Sequence, residues 1–327
     1  MKLIETMQNV RKIVTHANCP DGRGTAMIAN WVIAARGKHI PCVEFVSHDQ
    51  LPSLVAEPGM LFVDISPDQD RIEDFKRLDA IVLDHHRGSE ATTRSFGELG
   101  VFADETLEPG VSGTTLAWRE LYVPTSTNTN PPLDAAVEEF ARAMGARDTW
   151  HKESPLWEIG NHMSTAIMSI PVTDLLERPF PHLTTEEIYG GKIAYDAKLN
   201  DARAAAGTAK RFVGYDELNK REIAFAVYAE VDYGFRVTSD AADVLRDSGI
   251  NLVASFRVNM LEDRVAFSFR SDDSVDVAKL AKTMGGGGHT RAAGANLTLQ
   301  SFVACNGSIP AYLERMVRRF LRYHDGH

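Results

Sequence analysis

Over the first two hundred residues short apolar runs alternate with longer stretches of helical periodicity, a pattern that predicts βαβ units on a parallel sheet. Four runs read as strands: Lys12–His16 (KIVTH), Cys42–Ser47 (CVEFVS), Met60–Ile65 (MLFVDI) and Ala80–Asp84 (AIVLD). A helix is predicted from about Gly24 to Arg36, closed by Gly37. A second covers Ser112–Tyr122 with Ser112 as its cap, and a third runs from Leu133 to Ala146 behind Pro131–Pro132. After Pro181 comes a long helical segment opened by the capping box Thr184-x-x-Glu187, of a length suited to connecting two domains.

The boundary is placed near residues 212–222, which gives domains 1–212 and 222–327. In the second, strands are expected at Ile223–Glu230, Leu252–Val258 and Val265–Arg270. Helices are expected at Ala241–Asp247, Val275–Met284 and Ala311–Arg322. The apolar face of the last (Met316, Val317, Phe320, Leu321) reads as a packing face. The fold class is therefore α/β: a parallel-sheet N-terminal domain, a helical linker and a smaller α/β C-terminal domain.

Composition narrows the functions open to such a chain. Of 327 residues 44% are hydrophobic and 24% charged, which is globular and excludes large-scale disorder. No apolar run is long enough to cross a bilayer, and the first residues lack the pattern of a secretory signal, so no membrane association is expected. Three scattered cysteines, Cys19, Cys42 and Cys305, argue for a reducing cytoplasm rather than a disulfide framework. The formal net charge of −10 argues against binding long duplex nucleic acid, whose affinity comes from many Lys and Arg contacts to phosphate.

The chemistry lies at the strand ends. KIVTH ends at His16, LFVD at Asp64, and AIVLD runs into Asp84-His85-His86, while Asp21 follows in the loop expected after the first strand. A parallel sheet brings its strand C-termini to one crevice, so these residues converge where ligands bind. Imidazole and carboxylate together suit Mn²⁺, Zn²⁺, Fe²⁺ or Mg²⁺. In the second domain, four glycines at 285–288 can turn several N–H groups towards an anion, with His289 next to them and Arg270 and Ser271 just upstream.

The run VLDHHRG resembles the signature of the DHH phosphoesterase superfamily. HANCPDGRGTA at 16–26 resembles its first motif, the Asp of LFVDISP the second and Asp148 in ARDTW the fourth. GGGGHTRAAG at 285–294 is similar to the glycine-rich signature of the DHH-associated C-terminal domain. The resemblance covers both domains and implies a two-metal site, usually manganese. Asp64 would bridge the ions, His16 would hold one, and Asp21, His85 and Asp148 the other. Asp84 would orient the histidine pair, and His86 would hydrogen-bond the scissile phosphate. Arg270, Ser271, Gly287, Gly288 and His289 would grip the far end of the substrate across a cleft.

One departure stands out. The first motif usually carries two carboxylates two residues apart, and here Cys19 takes the place of the first, either as a thiolate ligand or as a small buried filler. The activity implied is metal-dependent hydrolysis of short oligoribonucleotides or dinucleotides to mononucleotides, as in nanoRNase-like members. Alternatives are hydrolysis of cyclic mononucleotides or of cyclic-dinucleotide products, and a non-catalytic nucleotide sensor. A homodimer is the default expectation for a chain of this size.

Overall fold

A computed structural model describes residues 2–36, 40–104, 106, 108–125, 130–230, 237–272, 274–288, 290–300 and 308–324. Gly37, His289 and Cys305 thus lie outside the described residues. The chain divides into two compact units, Met1–Tyr195 and Asp196–His327, and the division falls inside one long helix.

The first unit holds helices α1 (Lys2–Met7), α2 (Pro20–Arg36), α3 (Ile72–Lys76), α4 (Glu90–Ser95), α5 (Gly113–Ala117), α6 (Pro131–Asp148), α7 (Trp157–Ser169) and α8 (Val172–Leu176), and the start of α9 (Thr185–Gly207). Its strands are β1 (Lys12–His16), β2 (Cys42–Val46), β3 (Met60–Val63), β4 (Ile81–Asp84) and β5 (Gly100–Phe102). All pair in parallel, in the order β2-β1-β3-β4-β5. Every residue of β3 and β4 is buried, as expected of strands covered on both faces. In this order the chain reverses its direction of travel between β1 and β3. That is the switch point at which doubly wound sheets open a crevice at their strand C-termini.

The predicted strands and helices of this unit are present with ends shifted by a few residues, and two differences matter. The helix after β1 begins at Pro20, so Asp21 stands in its first turn rather than in a loop. Edge strand β5 has too short an apolar run to be read from the sequence.

The second unit pairs β10 (Gly287–Gly288), β11 (Ala292–Thr298), β9 (Arg264–Ser271), β8 (Leu252–Asn259), β7 (Arg221–Ala229) and β6 (Lys210–Asp216) in that order. Only β7 and β8 run parallel. Strand alternation divides its core in two. Phe225, Val227 and Leu252 pack with Leu280 of α11 (Val277–Lys282) and with Leu313, Val317 and Phe320 of α12 (Ile309–Tyr323). Ala226, Tyr228 and Val253 pack with Leu245 of α10 (Thr238–Asp247) and with Ala202 and Ala205 from the end of α9. Strand β6 occupies residues that the sequence assigned to the end of the helical linker and the boundary. The end of the glycine-rich stretch forms the short strand β10, pairing Gly287 and Gly288 with Gly294 and Ala293. No helix among the described residues is long and apolar enough to cross a membrane.

Candidate metal centre

Four short segments deliver the acids and imidazoles to the C-terminal edge of the first sheet. β1 ends on His16, and α2 starts four residues later with Asp21 in its first turn. One oxygen of Asp21 accepts from the Ser112 hydroxyl (2.7 Å) and from the Thr114 backbone N–H (3.1 Å). Ser112 also caps α5 through a reciprocal capping box with Thr115. The other oxygen of Asp21 is buried with no hydrogen-bond partner among the described residues.

Asp64 follows β3 in the left-handed region (φ 59°), a conformation that Asp tolerates better than most residues and that turns the chain at the sheet edge. Its backbone N–H donates to Leu83 O (3.0 Å), and one of its carboxylate oxygens is likewise buried and unpartnered. Asp148 arrives from the last residue of α6. His85 Nε2 stands among three carboxylates, 3.1 Å from Asp64, 3.5 Å from Asp148 and 3.8 Å from Asp21.

Two sets of potential ligand atoms are relevant to a cation, each lying within 4.8 Å of one another: His16, Cys19 and Asp64, and Asp21, His85 and Asp148. Asp64 also gathers with His85 and His86. Burial and the Asp21 carboxylate push the Asp64 carboxyl well above its ordinary range. The same two causes push Asp148 up to about 6. Burial, His48 and His86 lower His16 to about 4, so its imidazole is neutral and able to ligate. Burial, then Asp64 and Asp148, push the Cys19 thiol well up. Unpartnered buried oxygens and converging carboxylates, with neutral imidazole and a thiol beside them, fit divalent cations and are costly without them.

Asp84 plays a different part. Burial would raise its carboxyl, but His86 and then His85 outweigh that and hold it below the carboxylate range. One oxygen takes both His86 Nδ1 (2.7 Å) and the His86 backbone N–H (3.1 Å). The other accepts from Ser66 Oγ (2.7 Å), which leaves Ser66 to accept from the Thr93 hydroxyl at 2.8 Å. His86 is thereby fixed, with burial and His85 opposing its protonation and Asp84 overcoming both. Single-residue motif reading does not reveal Ser66, Ser112 or Thr114, because their role appears only once distant segments meet. His48, just beyond β2, also escaped that reading; its ring lies 5.1 Å from that of His16 and 6.4 Å from that of His86.

Within the second unit, Ser271 is fully buried and its hydroxyl donates to Val275 O (2.6 Å). Arg270 donates to Phe269 O (2.9 Å) and reaches Ser239 Oγ (3.3 Å). Gly287 and Gly288 are exposed. At Gly288 (φ 140°) an added Cβ would lie 2.6 Å from Ala292 O, so the hairpin itself demands glycine there. Trp150 and Trp157 flank Arg147, whose guanidinium lies 4.0 Å and 5.5 Å from the two ring centres.

Residues 223–315 match the family profile of the DHHA1 domain. No curated protein matches the chain in sequence. Solved structures are similar along nearly its whole length. The DHH domain of a protein described as a member of a ribosomal protein family has a TM-score of 0.61 at 13% identity, over 97% of this chain and 88% of that one. An exopolyphosphatase-related protein from Bacteroides fragilis gives 0.54 at 12%, over 97% and 94%. CDC45 from Entamoeba histolytica gives 0.50 at 8%, over 98% and 97%. The fold is shared with these structures, one of them a DHH domain, and residues 223–315 belong to the DHHA1 domain family.

Proposed function

We propose that the protein is a metal-dependent phosphodiesterase that hydrolyses short oligoribonucleotides or dinucleotides to mononucleotides. The observation that carries this reading is the pair of buried, unpartnered oxygens on Asp21 and Asp64, gathered with His16, His85 and Asp148 at the switch point of a parallel sheet. Divalent cations would relieve the cost of such a cluster. In this reading His16 and Asp64 would hold one ion and Asp21, Asp64, His85 and Asp148 the other, with manganese as the native metal. Bound there, divalent ions polarise a phosphoryl group and acidify water.

The chain's own groups do the remainder. Asp84, braced by Ser66, holds His86 through Nδ1, so that Nε2 is the nitrogen that meets a phosphoryl oxygen. The left-handed turn at Asp64 sets its carboxylate at the sheet edge, where it would serve as a metal ligand, an instance of strain held at a working site. In the second unit, the Ser271 hydroxyl is occupied with the turn after β9, so Ser271 supports the binding segment. Contacts to the remote part of the substrate then fall to Arg270, the backbone of Gly287 and Gly288, and His289.

The test is turnover with Mn²⁺ on a panel of di- to pentaribonucleotides, cyclic mononucleotides, linear products of cyclic dinucleotides and 3′-phosphoadenosine 5′-phosphate. Release of mononucleotides, fastest from the shortest linear substrates, is expected. Binding of these ligands with no product at several metals and pH values would instead make the protein a nucleotide sensor.

A further inference from the structure

His48 lies outside every motif that points to the metal centre, yet the fold carries it to the same edge. β2 pairs in parallel with β1, with Val46 opposite His16, and the Ala17 N–H donates to Val46 O (2.8 Å). Two residues further, His48 leaves the strand on the side where β1, β3 and β4 end. The turn is held in place, because both the Ser47 N–H and its hydroxyl donate to Gln50 Oε1 at 2.9 Å. The Ser47 hydroxyl also lies 2.5 Å from Asp49 Oδ1.

The result is a triangle of imidazoles. Ring centres of His16 and His48 are 5.1 Å apart, of His16 and His86 6.1 Å, and of His48 and His86 6.4 Å, with the last two rings nearly perpendicular. His48 is exposed, so no packing in a core explains its position. Among the described residues the sets whose ligand atoms gather to metal distance do not include His48. The nitrogens of the three rings do not gather as a ligand set, whereas rings spaced in this way can face one tetrahedral anion from different sides. Imidazole N–H groups reach acceptors at about 2.9 Å, so rings with centres 6.4 Å apart can bond different oxygens of one phosphoryl group.

We propose that His48 is a substrate-binding residue, which together with His86 clasps from two sides a phosphoryl group of the substrate lying beside His16. This rests on the phosphodiesterase reading and deepens it, adding to the site a phosphate contact from the edge strand β2. The contact does not depend on bond cleavage and exists equally for substrate, phosphorylated product and inorganic phosphate.

The experiment is calorimetric titration of inorganic phosphate into the Mn²⁺-loaded full-length protein, beside dinucleotide kinetics, for wild type, His48→Ala and His48→Gln. A hydrogen bond to a charged group lost at His48→Ala should weaken phosphate binding and raise KM by about tenfold, with kcat changed much less. The amide of His48→Gln should restore part of the affinity, and the Mn²⁺ isotherm should be the same in all three. Unchanged phosphate affinity in both variants overturns the proposal, as does a loss confined to Mn²⁺ affinity. Should wild type cleave no phosphodiester while phosphate binding still depends on His48, the phosphodiesterase reading falls and the phosphate contact stands.

Discussion

The α-carbon of Gly113 sits so close to Asp64 that a Cβ placed on it would lie 2.6 Å from Asp64 Cβ, and 2.8 Å from both Asp21 Oδ2 and Thr25 Oγ1. Real side chains do not approach so closely, so the start of α5 is packed directly against two of the proposed metal ligands. Gly113→Ala must displace at least one of them. We expect a loss of about 1–3 kcal/mol of stability from overpacking, read from the urea midpoint, with a weakened Mn²⁺ isotherm. Metal affinity equal to wild type would mean that the positions of Asp21 and Asp64 do not govern binding.

The carboxylate cluster has a pH signature when metal is stripped by chelation. Asp148 titrates at about 6 in the folded chain, raised by burial and by Asp21, whereas an unfolded Asp titrates near ~3.9. Between those values the folded state holds a proton that the unfolded state releases, so this group costs stability progressively as pH rises from about 4 to 6, and fully above that. Asp148→Asn removes the cost. Relative to wild type, the chelated variant should gain about 1 kcal/mol between pH 4.5 and 7.5, a figure discounted for the partly exposed side chain. Urea unfolding at the two pH values reads the difference, and a variant that gains nothing contradicts the repulsive cluster.

Cys19 stands where the resembling family carries a carboxylate, and its sulfur gathers with His16 and Asp64. Its thiol is pushed up by burial and then by Asp64 and Asp148, so the metal-free protein holds it protonated. A soft cation can displace that proton more readily than a hard one. Cys19→Ser is expected to lower bound Zn²⁺ measured by elemental analysis and to leave Mn²⁺ content near wild type. Equal zinc content in both proteins would reduce Cys19 to a packing residue.

In the proposed function Asp84, bonded to His86 Nδ1, acts through His86 rather than on a metal. Asp84→Asn should lower kcat by about 10–100-fold, as for other groups that orient a working histidine, with metal content retained. Ser66→Ala, which leaves the His86 bond in place, should do less. Loss of metal in Asp84→Asn would instead put Asp84 among the ligands.

Much of this site was legible before any coordinates. Strands β1, β3 and β4 announce their ends by a polar residue after an apolar run, so His16, Asp64 and Asp84 could be assigned to one edge from strand pattern and sheet topology alone. Asp21 was set in the loop after the first strand because the helix was read from about Gly24, whereas α2 begins at Pro20, a position that proline suits. Supporting groups such as Ser66, Ser112 and Gly113 carry no local signal: a hydroxyl that donates to a carboxylate 91 residues away looks like any other serine. Strands β6, β10 and β11 were missed for a related reason. Their residues are mixed polar, glycine and small, and only pairing with β7 and β9 makes them strands.

Anomalous diffraction from crystals of the protein grown with Mn²⁺ addresses the metal centre most directly. Two peaks are predicted, both bonded to Asp64, one of them also to His16 and the other to Asp21, His85 and Asp148. Manganese sites elsewhere on the chain, with the Asp64 and Asp21 oxygens still unliganded, would contradict the account.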